Sequence, residues 1–235
     1  VRELPTERVD VWIVPLGVRS DYAQTQWELL SADERARADR FAFEKDRRRF
    51  VVGRGALRHI LASYVAGRPD EVRFAYGEHG KPMLANSSEV EGIQFNASGS
   101  GDLAVCAVTI GKRLGIDIEL CRPIADDVFV EDCLAPEERD AYFALSSDKR
   151  PGFFYRIWTL KEAYLKATGV GLSVPVSAAA VSYLSGESVR FVADARVPDG
   201  GANWTLVEFE PSPNYIGALV VAGQGRTVQY KHWPF

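Results

Sequence analysis

Two parts of this chain repeat each other at a fixed spacing, and that constrains the fold more than any other feature. Ala135-Pro136-Glu137-Glu138-Arg139 resembles Ala32-Asp33-Glu34-Arg35, and Arg139 follows Arg35 by 104 residues. Phe154 follows Phe50 by the same 104 residues, each near the start of a long helical pattern that stops at a glycine, Gly67 or Gly169. Later, the run 216–222 (IGALVVA) resembles 103–109 (LAVCAVT). A constant offset of this size is the mark of a duplicated unit; the competing explanation is a chance likeness of two helix starts. The seam falls near 109–113, where too few residues lie between strands to make a flexible linker. Two packed halves, 1–110 and 111–235, are therefore expected.

Within each half, strand and helix patterns alternate. Strands are predicted at 9–14, 72–76, 92–96, 103–110, 114–119, 176–184, 189–192, 204–209 and 216–222, from their β-branched and aromatic content. Helices are predicted at 31–41, with Ser31 as N-cap and Glu34 at the capping-box position, at 46–65, and from about 154 to 167. The stretches 96–101, 196–203 and 211–213 read as turns, and the terminal 231–235 (KHWPF) as a docking tail. Three irregularly spaced cysteines form neither a disulfide framework nor a CxxC pair, which suits a reducing, cytoplasmic compartment. A net charge of −4 argues against a nucleic-acid binder, and no apolar run is long enough for a membrane span. No leader pattern opens the sequence.

Four constellations can carry chemistry. In Gly115-Ile116-Asp117-Ile118-Glu119, strand alternation puts Asp117 and Glu119 on one face and the two isoleucines on the other. Paired carboxylates repel unless a hard cation such as Mg²⁺ joins them; a solvated acidic face is the plainer explanation. The helix at 154–167 is apolar nearly all round, which marks a buried one. Its charged exceptions are Lys161, Glu162 and Lys166, with Glu162 and Lys166 four apart on one face. These make either an ordinary salt bridge or a pair facing a metal or phosphate. Between Arg35 and Arg58, nine basic residues stand against Asp39, Glu44 and Asp46. That is a phosphate-binding surface or a solvated helix face. Finally, Gly80-Lys81-Pro82 and Asn96-Ala97-Ser98-Gly99-Ser100-Gly101 allow close backbone approach to a ligand, or are simple turns. His59, His79 and His232 have no metal-ligand spacing, and no nucleophile with a paired base stands out.

In this order and spacing, the features resemble the 4′-phosphopantetheinyl transferases of the longer, surfactin-synthetase-activating type. The matching residues are S-x-x-E-R near residue 31, the arginine-rich helix, Gly80-Lys81-Pro82 and Phe95-Asn96-x-Ser98. They continue with Gly115-Ile116-Asp117-Ile118-Glu119, Trp158-x-x-Lys161-Glu162-Ala163-x-x-Lys166 and Gly169-x-Gly171-Leu172. The likeness runs over about residues 9–185.

The resemblance implies an α+β fold of two similar α/β subdomains related by a pseudo-twofold, with coenzyme A between them. The first would bind the coenzyme A phosphates and adenine, and the second would hold metal and catalyse. It implies transfer of the phosphopantetheine arm to a serine of an acyl or peptidyl carrier protein, with release of 3′,5′-ADP, by a monomer acting on neither nucleic acid nor membrane. Asp117, Glu119 and Glu162 would hold Mg²⁺, or Mn²⁺ in its place. Glu162 would be the base and Lys166 would neutralise the pyrophosphate. Arg37 would meet the 3′-phosphate, Gly80, Lys81 and Pro82 would flank the adenine and its phosphate, and Ser98 would contact phosphate. Gly99 departs from the family's usual histidine, so weaker coenzyme A binding is expected. Glu34 stands where some members have lysine, shifting the burden to Arg37. The rival expectations are a coenzyme A-binding module with impaired turnover and another Mg²⁺-dependent phosphotransferase or nuclease.

Overall fold

The computed structural model describes residues 2–65, 67–77, 80–85, 92–124, 127–171, 174–182, 190–192 and 204–234. The first half runs β1 (Arg8–Pro15), α1 (Ser20–Leu29), α2 (Ala32–Ala38) and α3 (Glu44–Val65). A 3-10 turn (Pro69–Glu71), the hairpin β2 (Phe74–Tyr76) and β3 (Pro82–Leu84), then β4 (Ile93–Ser100) and β5 (Leu103–Ile110) complete it. The second half repeats this order: β6 (Leu114–Leu120), α4 (Asp127–Cys133), α5 (Pro136–Ala144) and α6 (Arg150–Thr168). A 3-10 turn (Val176–Ala178), β7 (Ala180–Ser182), β8 (Arg190–Val192), β9 (Trp204–Phe209) and β10 (Tyr215–Ala222) follow. One strand, β11 (Thr227–His232), has no counterpart.

The two main sheets have matching order, β11-β1-β5-β4 and β6-β10-β9. The middle strand of each unit pairs antiparallel with both neighbours, and β11 joins β1 in parallel, Val9 opposite Val228 and Ile13 opposite His232. The sheets pack face to face. Val9, Val11 and Ile13 of β1 meet Ile116 and Ile118 of β6 and Leu219 and Val221 of β10 in one buried cluster. The other face of each sheet carries a long helix. Trp12, Val14 and Phe95 pack on Val52, Ile60 and Leu61 of α3, and Ala218 and Val220 pack on Leu160, Ala163 and Ala167 of α6. The layers are thus helix, sheet, sheet, helix, an α+β architecture with one dry seam between sheets.

The repeat extends to hydrogen bonds. The Ser31 N–H donates to Glu34 Oε2 (2.9 Å) at the start of α2, and the Ala135 N–H to Glu138 Oε2 (2.7 Å) at the start of α5. Each glutamate is buried against a cation from the long helix of its own half, Glu34 with Arg58 (2.7 Å) and Glu138 with Lys161 (2.5 Å). Arg35 and Arg139 each donate to a carbonyl eight residues back, those of Trp27 and Glu131.

Several expectations are corrected. Residues 96–100 are not a turn but the end of β4, paired with β5 from Asn96↔Ala107 to Ser100↔Leu103. The turn is at Gly101, whose φ of 57° favours glycine. The strand expected from 176 begins only at Ala180, after a 3-10 turn. The helices α1 and α4 and the strands β3 and β11 are additions to the expected set. Residues 231 and 232 close β11, while Trp233 packs on Trp12 and His59 and its indole donates to Tyr22 (3.0 Å), docking the end of the chain on the first half. His79, Leu172, residues 183–189, the whole of the expected turn at 196–203 and Phe235 lie outside the described residues.

Candidate active site

The site forms where β4 of the first half runs beside β6 of the second. No backbone ladder joins these strands. Side chains of β4 do so instead. Asn96 Oδ1 accepts the Ile116 N–H (2.8 Å), and the Ser100 hydroxyl accepts the Leu120 N–H (3.1 Å). Asn96, Ser98 and Ser100 share one face of β4 by strand alternation, so all three reach β6. The Ser98 hydroxyl donates to Asp117 Oδ1 and the Ser100 hydroxyl to Glu119 Oε2, each at 2.7 Å. Both serines thus orient the carboxylates of the acidic strand.

From the other side comes α6. Gly115 lets it approach: a Cβ there would collide with the Ala163 carbonyl and stand 2.5 Å from the Ala167 nitrogen. This contact lays the last turns of α6 along β6. The Lys166 ammonium donates to Asp117 Oδ1 (2.5 Å) and to the Ser98 hydroxyl (3.2 Å). The pairing expected within α6 does not form; Lys166 reaches across to Asp117, and Glu162 is left without a hydrogen bond or ion pair among the described residues.

The electrostatics show that the carboxylates share one region. Burial pushes Glu162 above the ordinary range; Lys166 opposes this, while Asp117 and Glu119 add to it. Burial also raises Glu119, with Asp117 adding to the rise and hydrogen bonds from Ser100 and the Trp158 indole opposing it. Asp117 is buried, and its Oδ2 has no hydrogen-bond partner. Among the described residues no three His, Cys, Asp or Glu side chains form a group that could hold one metal ion.

The remaining residues are spread more widely. The Lys81 ammonium donates to the carbonyls of Leu114 (3.0 Å) and Lys166 (2.7 Å). Gly80 has a φ of 74°, and Pro82 opens β3. Gly99 is exposed on the face of β4 opposite Ser98, with space for a side chain beside the Leu103 carbonyl (3.4 Å). Arg37 is exposed and stacks on Phe50 (5.3 Å). Much of the basic segment is structural. Arg54 and Arg58 are buried on Glu34, and Arg47 and Arg49 pair with Asp39 and with Asp46 and Asp102. Glu34 faces inward and cannot repel a phosphate at the surface. Burial pushes Cys106 up to about 12 and Cys133 up to about 11, so neither is a nucleophile near neutral pH. Sequence reasoning missed Trp158 and Asn96 as site residues. Their signal was present inside the quoted motifs, but nothing there said which atoms they would hold.

Residues 18–111 match the family model "4′-phosphopantetheinyl transferase, N-terminal", and residues 113–220 match "4′-phosphopantetheinyl transferase superfamily". Among curated proteins, the chain is 36% identical over 231 residues to the 4′-phosphopantetheinyl transferase HetI of Nostoc sp. (strain PCC 7120), covering 98% of this chain and 94% of that one. It is 31% identical over 190 residues to psf-1 of Bacillus pumilus, covering 81% and 78%. Sfp of Bacillus subtilis is 28% identical over 197 residues, covering 82% of each chain. No helix among the described residues is long and apolar enough to cross a membrane.

Proposed function

The chain belongs to the 4′-phosphopantetheinyl transferase family, and from that premise we propose how its own residues carry out the transfer of phosphopantetheine from coenzyme A to a carrier protein. The observation that carries this reading is the contact of Lys166 and Ser98 on Asp117, with Glu119 held next to it by Ser100, at the seam between the halves.

The donor chemistry suits a hard divalent cation, although no three of these side chains stand together as a chelating group among the described residues. Asp117 Oδ2 is buried without a partner, Glu162 has no ion pair among the described residues, and all the donors are carboxylate oxygens. Asp117, Glu119 and Glu162 would hold Mg²⁺ or Mn²⁺, which supplies charge neutralisation at the pyrophosphate. Lys166, which donates to Asp117 in this structure, would neutralise charge on the phosphates.

In the reaction the carrier serine hydroxyl attacks the β-phosphorus of coenzyme A. The new P–O bond forms as the bond to 3′,5′-ADP breaks, and Glu162 accepts the hydroxyl proton. A carboxylate raised by burial is a better base than a solvated one. Lys166 balances negative charge on the leaving group, and Ser98, which donates to Asp117 here, would donate to a phosphate oxygen. Arg37, held flat on Phe50, meets the 3′-phosphate, and Gly80 and Pro82 border the adenine. Positioning and charge neutralisation do most of the work in such a transfer. A cytoplasmic monomer that acts on neither nucleic acid nor membrane completes the reading, consistent with three free cysteines.

The test mixes the protein with an apo carrier protein, coenzyme A and Mg²⁺. The carrier is expected to gain about 340 Da, the mass of the arm, with 3′,5′-ADP as the second product. A carrier of unchanged mass, alongside a coenzyme A-induced rise in melting temperature, would mark a binding module instead.

A further inference from the structure

The Gly80-Lys81-Pro82 turn faces two ways. Its backbone borders the candidate nucleotide site, but the Lys81 side chain reaches into the second half. Its ammonium bridges the carbonyl of Leu114, the first residue of β6, and that of Lys166 in the last turn of α6. The last-turn carbonyls of a helix lack helical donors and carry the negative end of its dipole, so a cation from another element is well placed there. Leu114 precedes Gly115, where β6 and α6 touch backbone to backbone. The ammonium therefore closes the seam that puts Lys166 on Asp117. The base of the side chain is held as well: the Gly77 N–H donates to the Lys81 carbonyl (3.0 Å), and the Gly80 N–H to the Gly77 carbonyl (2.9 Å).

We propose that Lys81 is a positioning residue for phosphoryl transfer, tying the hairpin of the first half to the β6–α6 seam and so setting where Lys166 stands over Asp117. This rests on the transferase reading above and replaces the direct nucleotide contact that the motif alone suggests. Two donor positions of the ammonium are already used on carbonyls. Burial, with Lys166 and Arg113 nearby, pushes Lys81 down to about 8, so the cation sits in an unfavourable place that its carbonyl partners offset.

The experiment compares wild type, Lys81→Met and Lys81→Arg in the full chain. Steady-state kinetics use apo carrier protein, coenzyme A and Mg²⁺, and amide exchange is read without ligands. Lys81→Met is expected to lower kcat about 10-fold or more with KM for coenzyme A within about 3-fold, because a small misplacement of reacting groups costs rate rather than substrate binding. Amide exchange is expected to speed up about 10-fold in residues 163–169 and to stay unchanged in α3. Lys81→Arg, which keeps the charge, is expected to restore at least about a third of kcat. A rise in KM with kcat preserved would make Lys81 a nucleotide ligand and overturn the proposal, as would unchanged kinetics in Lys81→Met. If Lys81→Met does not fold, Lys81→Arg decides by the same split between kcat and KM. If wild type leaves the carrier unmodified, the transferase reading fails; the exchange pattern then still decides whether Lys81 holds the seam.

Discussion

The two halves share order, topology and the buried acid–base pair under their second helix, yet Asp117, Glu119, Glu162 and Lys166 of the candidate site all belong to the second. The reason lies at one edge of each sheet. In the first half that edge of β1 is filled by β11, with a continuous parallel ladder and Trp233 docked beyond it. In the second half the corresponding edge of β6 meets side chains of β4, which hydrogen-bond its carboxylates instead of forming a backbone ladder. At the 104-residue offset, Ile13 and Pro15 stand where the second half has Asp117 and Glu119, and Arg58 and Ala62 where it has Glu162 and Lys166. The first copy fills these positions with packing residues and one internal ion pair, and the second with acidic and basic side chains at the candidate site. A duplicated fold can divide its labour this way because the stabilising layer, long helix on sheet, does not depend on which residues face the edge.

Positions 58 and 162, related by the sequence offset of 104, test this division most sharply. Glu162→Gln should lower kcat by at least about 10³-fold, since it removes the base and a charge at the pyrophosphate together, without loss of melting temperature. Arg58→Met should do the reverse, costing about 3–5 kcal/mol of stability by leaving Glu34 buried beside Arg54 alone. Chemical denaturation and turnover assays of both variants check the contrast. Near-wild-type turnover in Glu162→Gln would remove it from the mechanism.

Gly115→Ala is the next largest effect. Its Cβ would push α6 away from β6, and a displacement of about 1 Å at the reacting groups costs on the order of 10²-fold in rate. Single-turnover rates measure it, and an unaffected rate would show that the close approach is not what positions Lys166. On the first-half side, Gly99→His should lower KM for coenzyme A about 10-fold by adding one phosphate contact. A KM that does not fall would remove the expected link between this position and affinity.

The smallest effect is a pH dependence. Burial raises Glu162, so between the ordinary value of 4.5 and the raised value its native form holds a proton that the unfolded chain has lost. That stabilisation is complete below the ordinary value of 4.5 and disappears as pH climbs through the raised value. Without divalent ions, the melting temperature of Glu162→Gln should therefore gain on wild type by about 2–4 °C between pH 5 and pH 7. Mg²⁺ should close that gap, and differential scanning calorimetry reads both. A gap independent of pH would mean that Glu162 is not titrating as the geometry requires.

Much of this was legible in the chain itself. The 104-residue repeat, the helix starts at Ser31 and Ala135, the alternation that separates Asp117 and Glu119 from Ile116 and Ile118, and the burial of α6 all follow from local periodicity, because side-chain direction is a local property of helix and strand. What only the tertiary structure decided is which partner each polar atom takes. Lys166 turns to Asp117 instead of Glu162, Ser98 and Ser100 serve carboxylates, Glu34 is withdrawn to the interior, Lys81 caps a helix in the other half, and the last strand of the chain seals the edge of the first. Those choices depend on distances between segments far apart in sequence, and they are set by the packing of two sheets and two helices, which no window of residues contains.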